Sequence, residues 1–173
     1  MAIAGAVGII WQMKLSYMVM RSAAPIGAVL TFIALVTGAI WGKPTWGTWW
    51  VWDARITSML ILFFLYLGII ALQGAYQNQT TANKASAILA LVGTINIPII
   101  YKSVDWWFTL HQPATLKLTG ESSIDPSMAY PLLIMIVAFY TLYTWLLMHW
   151  TRLQIIETEY KTSWVKALVL DKK

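Results

Sequence analysis

Apolar residues along this chain are gathered into long runs that short polar stretches separate. Five runs can be marked, at positions 1–13, 23–41, 56–73, 85–101 and 131–150. The last four approach or reach the roughly 20 residues that a helix needs to cross a bilayer. Because a backbone in hydrocarbon must satisfy its own hydrogen bonds, such runs favour helices. The pattern predicts an all-α fold, a polytopic membrane helix bundle with about five transmembrane helices in this chain.

The composition supports a membrane protein. Of the 173 residues, 59% are hydrophobic and 11% are charged, whereas soluble domains carry roughly 25% charged residues. We therefore expect residues 1–173 to form a single integral membrane domain in contact with the lipid bilayer. The chain has no cysteine, which excludes disulfides, thiol nucleophiles and cysteine-based metal sites.

The basic residues predict an orientation, because alternate connections lie on opposite sides of the membrane. One side carries eight of them: Lys14, Arg21, Lys84, Arg152, Lys161, Lys166, Lys172 and Lys173. The other carries four: Lys43, Arg55, Lys102 and Lys117. The richer side is expected to be cytoplasmic, which places loops 42–57 and 102–130 outside. This topology accounts for the net charge of +5, so no nucleic-acid partner is expected.

Both outer loops are rich in aromatic residues, and they contain the candidate site residues. Those of the first loop are Trp46, Trp49, Trp50, Trp52, Asp53 and Arg55, and those of the second are Trp106, Trp107 and His111. An interfacial aromatic belt is one explanation, although a belt places only one or two rings at each helix end. His111 has its own simpler explanation, a solvated or capping loop histidine.

A flat apolar ligand is the alternative to a belt, because indole rings stack on such molecules. Haem meets three conditions at once: a porphyrin face for the rings, an iron for the imidazole of His111, and propionates for an arginine or lysine at the rim. Quinones and other flat lipophiles would also suit the rings. The residues alone leave these ligands open.

Longer stretches of the sequence resemble a known family. WGTWWVWDARITS, at 46–58, resembles the tryptophan-rich WWD signature of the haem-handling proteins of cytochrome c maturation. WQMKL at 11–15, the stretch at 24–57, INIPIIYKSVDWWFTLHQ at 95–112 and SIDPSM at 123–128 are similar to haem exporter protein C, CcmC. The matches extend over nearly the whole chain up to the last helix.

The resemblance implies a function and a site. CcmC proteins hold b-type haem at the periplasmic surface of the bacterial inner membrane and deliver it to the haem chaperone CcmE. They work with CcmA, CcmB and CcmD in a haem export complex, and no catalytic residues are expected, so the chain is not expected to be an enzyme. Carried onto this sequence, the WWD motif covers positions 46–55 and the axial histidine, the metal ligand, is His111.

The resemblance also implies a difference at the amino terminus. The family has six helices, with an extra first helix and a second axial histidine ahead of the run at 1–13. We therefore expect a fragment, an internal start or a natural short form. Two other functions remain open: a scaffold of the CcmA–CcmB transporter that holds no haem, and another WWD-type haem delivery protein.

Overall fold

A computed structural model describes residues 1–112 and 124–170, and all regular secondary structure in this part of the chain is helical. The helices are α1 Ala2–Trp11, α2 Lys14–Trp46, α3 Ala54–Ala75, α4 Gln79–Gly93, α5 Asn96–Trp106, α6 Pro126–Glu159 and α7 Ser163–Leu170. The predicted all-α membrane bundle is confirmed.

Four helical segments in the described residues are long and apolar enough to cross a membrane. They are α2, α3, the α4–α5 pair taken together, and α6. They correspond to four of the five predicted spans. The fifth, at the amino terminus, is α1, whose 10 residues extend about 15 Å and so reach half the thickness of the hydrocarbon core.

The tryptophan-rich loop is shorter than the sequence pattern indicates. Helix α2 continues to Trp46 and ends where Gly47 adopts a left-handed conformation with φ 78°. Helix α3 begins directly after Asp53, whose side chain caps it. The structure thus narrows the predicted loop 42–57 to seven residues, 47–53. A glycine at the end of α2 and an aspartate at the start of α3 are residue types favoured at these places.

The predicted helix at 85–101 is interrupted between α4 and α5, at Thr94 and Ile95. Pro98 follows the break and has no backbone N–H to donate. Asn96 is buried, and its Nδ2 donates a hydrogen bond of 2.8 Å to the carbonyl oxygen of Ser58 on α3. Since this bond fixes α5 against α3, the residues that follow α5 are carried to the beginning of α3.

Small side chains let the helices approach closely at the centre of the bundle. Met20 and Ala24 of α2 meet Ile69 of α3 together with Ala87 and Ala90 of α4, and all five are at most 3% exposed. Close packing of small residues is the usual source of helix association in lipid. Helix α6 packs on α2 and exposes most of its apolar side chains, as lipid-facing residues do.

We predict that Gly27→Ala destabilises the contact between α2 and α3. A Cβ at this position would lie 2.5 Å from Cζ and 2.9 Å from Oη of Tyr66, so the ring would have to move. Overpacking of this kind costs about 1–3 kcal/mol. Unfolding of the purified protein in mixed detergent micelles measures the free energy. Gly74→Ala is the control, because a Cβ there meets nothing within 4 Å, and equal stability of the two variants would contradict the predicted clash.

Candidate functional site

Asp53 is the N-cap of α3 and is buried. Its Oδ1 accepts a hydrogen bond of 2.8 Å from the backbone N–H of Ile56. An ionised carboxylate at this place satisfies a free donor of the first turn and lies at the positive end of the helix dipole. One oxygen of Asp53 is therefore committed to starting the helix.

The second oxygen of Asp53 holds the segment that follows α5. Oδ2 accepts hydrogen bonds from the hydroxyl of Thr109 and from Nδ1 of His111, the latter at 2.7 Å. The backbone N–H of His111 donates to Thr109 Oγ1 at 3.1 Å. These bonds close a compact turn, and they fasten His111 to the amino-terminal end of α3.

The protonation of this cluster follows from its contacts. Burial by itself would raise the pKa of Asp53, but hydrogen bonds from Thr109, from the Ile56 N–H and from His111, with the charge of His111, outweigh it, so the pKa lies below its ordinary value. The carboxylate is then an acceptor only, and the proton between the two side chains belongs to Nδ1 of His111. In the neutral imidazole, Nε2 is left with a lone pair, ready to bind a metal.

An aromatic pair also contacts His111. The ring of Trp46 meets the imidazole edge to face, with centroids 4.6 Å apart and planes inclined at 69°. Trp41 contacts Trp46 in the same manner at 5.2 Å. Aromatic pairs prefer such arrangements. The imidazole is thereby fixed between a carboxylate and an indole.

A cavity of about 320 Å³ opens beside this histidine. Its wall along the helices is made of small and aliphatic side chains, among them Ala34 and Gly38 of α2, Met59 of α3 and Ile100 of α5. Its end at the loop is formed by Trp41, Trp46, Trp50, Arg55 and His111. The volume lies at the lower end of the roughly 300–1,000 Å³ of small-molecule pockets. An apolar cavity with one imidazole and one guanidinium suits a flat, acidic, metal-containing ligand.

Comparison with known proteins places the chain in a family. The sequence model of a family described as Heme exporter protein C matches residues 1–166. The chain belongs to the heme exporter protein C family. Its relatives of that name include one from Haemophilus influenzae, 51% identical over 97% of this chain and 68% of that protein. One from Escherichia coli is 50% identical over 98% of this chain and 68% of that protein. One from Bradyrhizobium diazoefficiens is 52% identical over 83% of this chain and 54% of that protein.

Five of the site residues expected for this family member come together in the structure. Trp46, Trp50, Arg55 and His111 line the cavity, and Asp53 lies against His111. These five residues were predicted from two separate outer loops. The fold brings them into one place.

The other four predicted residues are exposed tryptophans outside the cavity lining. Trp52 lies edge to face against Trp50 at 5.5 Å, and Trp106 meets Trp107 at 5.8 Å. Nζ of Lys43 lies 6.0 Å from the ring of Trp49. These rings present an aromatic surface around the cavity, and their part in ligand binding stays a prediction.

Sequence reasoning missed Thr109, Trp41 and the cavity wall of this family member. A threonine two residues before the histidine is a signal for a local turn of the kind that Thr109 makes. Ala34 and Gly38 are four positions apart on α2, so they share one face and leave room beside it. Neither signal identifies a site by itself, because turns and small-residue faces are common.

We predict that Asp53→Ala loosens both segments that the carboxylate joins, whereas Asp53→Asn keeps the helix cap. Loss of an N-cap costs about 0.5–2 kcal/mol, and asparagine caps as well as aspartate. Hydrogen–deuterium exchange of the detergent-solubilised protein should speed up at the amide of Ile56 in Asp53→Ala only.

A variant of a different cap is the control for this exchange experiment. Asp125 caps α6 through the amide of Ser127 at 2.8 Å, so Asp125→Ala should speed exchange at Ser127 and leave Ile56 protected. Unchanged exchange at Ile56 in Asp53→Ala would show that Asp53 does not cap α3.

Proposed function

We propose that this chain binds haem at the periplasmic face of the bacterial inner membrane and delivers it to the chaperone CcmE during cytochrome c maturation. In this proposal it acts within a haem export complex that includes CcmA, CcmB and CcmD. The observation that carries the proposal is the Asp53–His111 pair, because His111 lines an aromatic cavity while its Nδ1 is bonded to the carboxylate. The family and these relatives are named Heme exporter protein C, which supports haem as the cargo.

The donor set suits haem iron. A neutral imidazole is a common axial ligand of haem, and a histidine that binds a metal almost always donates its other ring N–H to a carboxylate or carbonyl. Asp53 fills that role here, with Nδ1 of His111 2.7 Å from Oδ2. The carboxylate fixes the tautomer and raises the basicity of Nε2, the nitrogen that would bind the iron.

The other residues that line the cavity suit the porphyrin. Trp46 and Trp50 provide indole surface, and Met59 and Ile100 provide apolar surface in the same cavity. Arg55 also lines the cavity, and a guanidinium pairs with a propionate through charge-assisted hydrogen bonds. The small side chains of Ala34 and Gly38 leave space for the edge of a flat ring.

Delivery to a partner requires a surface as well as a cavity. Trp49, Trp52, Trp106 and Trp107 are between 50% and 74% exposed, and tryptophan is enriched at the centres of protein interfaces. We assign this aromatic surface to the docking of CcmE. The distribution of eight basic residues against four supports the periplasmic orientation of this end.

We expect Asp53→Asn to weaken haem binding at least about tenfold, the usual minimum for loss of a group that orients a metal ligand. Asparagine keeps the cap through its oxygen, but its NH₂ then faces Nδ1 of His111. The ring must accept that hydrogen bond, which moves the proton to Nε2 and blocks coordination. Absorbance titration of the purified protein with haemin measures the affinity through the Soret band, and His111→Gly should lose the band until free imidazole is added.

Asp105→Asn is the matched control for this titration, because Asp105 is exposed and pairs with Lys102 at 3.0 Å. It should bind haem as the unchanged protein does. Absence of a Soret band in the unchanged protein would instead support the scaffold function. Equal affinities of Asp53→Asn and Asp105→Asn would show that Asp53 does not orient the ligand.

We also expect Gly38→Leu to exclude haem without unfolding the protein. A Cβ at Gly38 meets nothing within 4 Å, so the leucine extends into the cavity space. The same titration tests it, with Ala138→Leu on the exposed face of α6 as control. If Gly38→Leu binds haem normally while Trp49→Ala or Trp52→Ala does not, the exposed tryptophans rather than the cavity hold the ring.

A further inference from the structure

A second cleft lies at the opposite end of the bundle from His111. It has a volume of about 290 Å³ and is bordered by Arg21 of α2, Gln73 of α3, and Trp150 and Gln154 of α6. None of these residues takes part in the proposed haem site. The cleft opens between helices, where lipid molecules approach a membrane protein.

Arg21 is held at the wall of this cleft by two glutamines. Its Nε donates to Gln73 Oε1 at 2.9 Å, and its Nη2 donates to Gln79 Oε1 at 3.1 Å. These bonds employ two of the five N–H donors of a guanidinium. The charge is therefore fixed in position while the group retains the capacity to bind an anion.

Three buried polar atoms of the cleft residues have no hydrogen-bond partner within the described part of the chain. They are Ser22 Oγ, Gln73 Nε2 and Gln154 Oε1, and the side chain of Ser22 belongs to a residue only 1% exposed. Leaving such groups unpaired is unfavourable, and buried polar groups in proteins are nearly always paired. These three atoms are enclosed by the protein as it stands, so an occupant of the cleft reaches them only after the side chains turn, and the free N–H groups of Arg21 make the first contact.

The residues that line the cleft change from charged to apolar toward the interior of the bundle. Arg21 lies two residues before the long apolar run that begins at position 23, which is the level of the headgroups at the end of a membrane span. Pro25 and Ile70 also border the cleft, one turn further into the bundle. The occupant therefore has an oxyanion at its head and hydrocarbon below.

We propose that this cleft binds the phosphate group of a phospholipid. Arg21 donates to the phosphate oxygens, because basic pockets between membrane helices recognise anionic headgroups. The amide of Gln73 and the hydroxyl of Ser22 turn toward the same oxygens and donate to them. Gln154 Oε1 accepts from a headgroup hydroxyl, as in phosphatidylglycerol. An acyl chain runs along Pro25 and Ile70.

Native mass spectrometry of the full chain tests this, with phosphatidylglycerol as the probe. We expect one retained lipid, and about a tenfold weaker retention in Arg21→Gln. Arg152→Gln is the matched control, since Arg152 is an exposed cation on α6 that does not border the cleft. Equal retention by both variants would overturn the proposal.

Two further variants keep the test decisive if Arg21→Gln fails to fold. Gly74 also borders the cleft, and a Cβ there meets nothing within 4 Å. Gly74→Leu therefore fills the cleft without changing the charge, and it should expel the lipid. Ser22→Ala removes an unpaired buried hydroxyl, so a purely structural role predicts unchanged retention with equal or greater stability. A phosphate ligand predicts weaker retention, and unchanged retention in both variants would refute the site.

The source of the phosphate is tested with two other probes. Diacylglycerol, which lacks the phosphate, should not be retained. Inorganic phosphate at millimolar concentration should leave the bound lipid in place. If inorganic phosphate alone displaces the lipid completely, the site belongs to a free anion and the lipid assignment is wrong.

Discussion

The carboxylate of Asp53 joins two segments that lie 58 positions apart in the chain. One oxygen begins α3, and the other fixes Thr109 and His111. Because both oxygens are occupied inside the protein, the position of the imidazole depends on the start of a membrane helix rather than on a mobile loop. The cavity depends on the same contact, since His111 forms part of its end.

The position of His111 also depends on how α5 is aimed. In a membrane an interruption of a helix is tolerated where protein groups satisfy the freed backbone. The break at Thr94 and Ile95 is followed by the bond from Asn96 to the carbonyl of Ser58, which fastens α5 to α3. The interruption of the helix, the Asn96–Ser58 hydrogen bond and Asp53 together determine where His111 lies.

The bundle carries its polar chemistry at its two ends. At one end, an aspartate, a histidine and an arginine meet tryptophan rings, which suits a flat acidic ligand with a metal. At the other, Arg21 borders a cleft beside three polar atoms that find no partner in residues 1–112 and 124–170, and apolar residues lie deeper in it, which suits the head of a lipid. Between them the core packs alanines against Met20 and Ile69, and the helices approach closely there.

The sequence by itself determined the class of fold, four of the spans, and five of the residues that the fold brings together at the site. Long apolar runs demand helices in hydrocarbon wherever they occur, and tryptophan motifs are local in the chain. The proline in the sequence INIP at 95–98 is a local signal for the interruption between α4 and α5. Proline alone does not indicate which contact holds α5 in place.

Only the tertiary structure decided which predicted residues share a cavity. It separated Trp46 and Trp50, which line the cavity, from Trp49 and Trp52, which are exposed, although all four lie within seven positions. It also showed that Asp53 is hydrogen-bonded to His111, and Arg21 to Gln73 and Gln79. Each of these pairs joins residues more than 50 positions apart. The pairing depends on how the helices lie relative to one another, and hydrophobic periodicity carries no information about that placement.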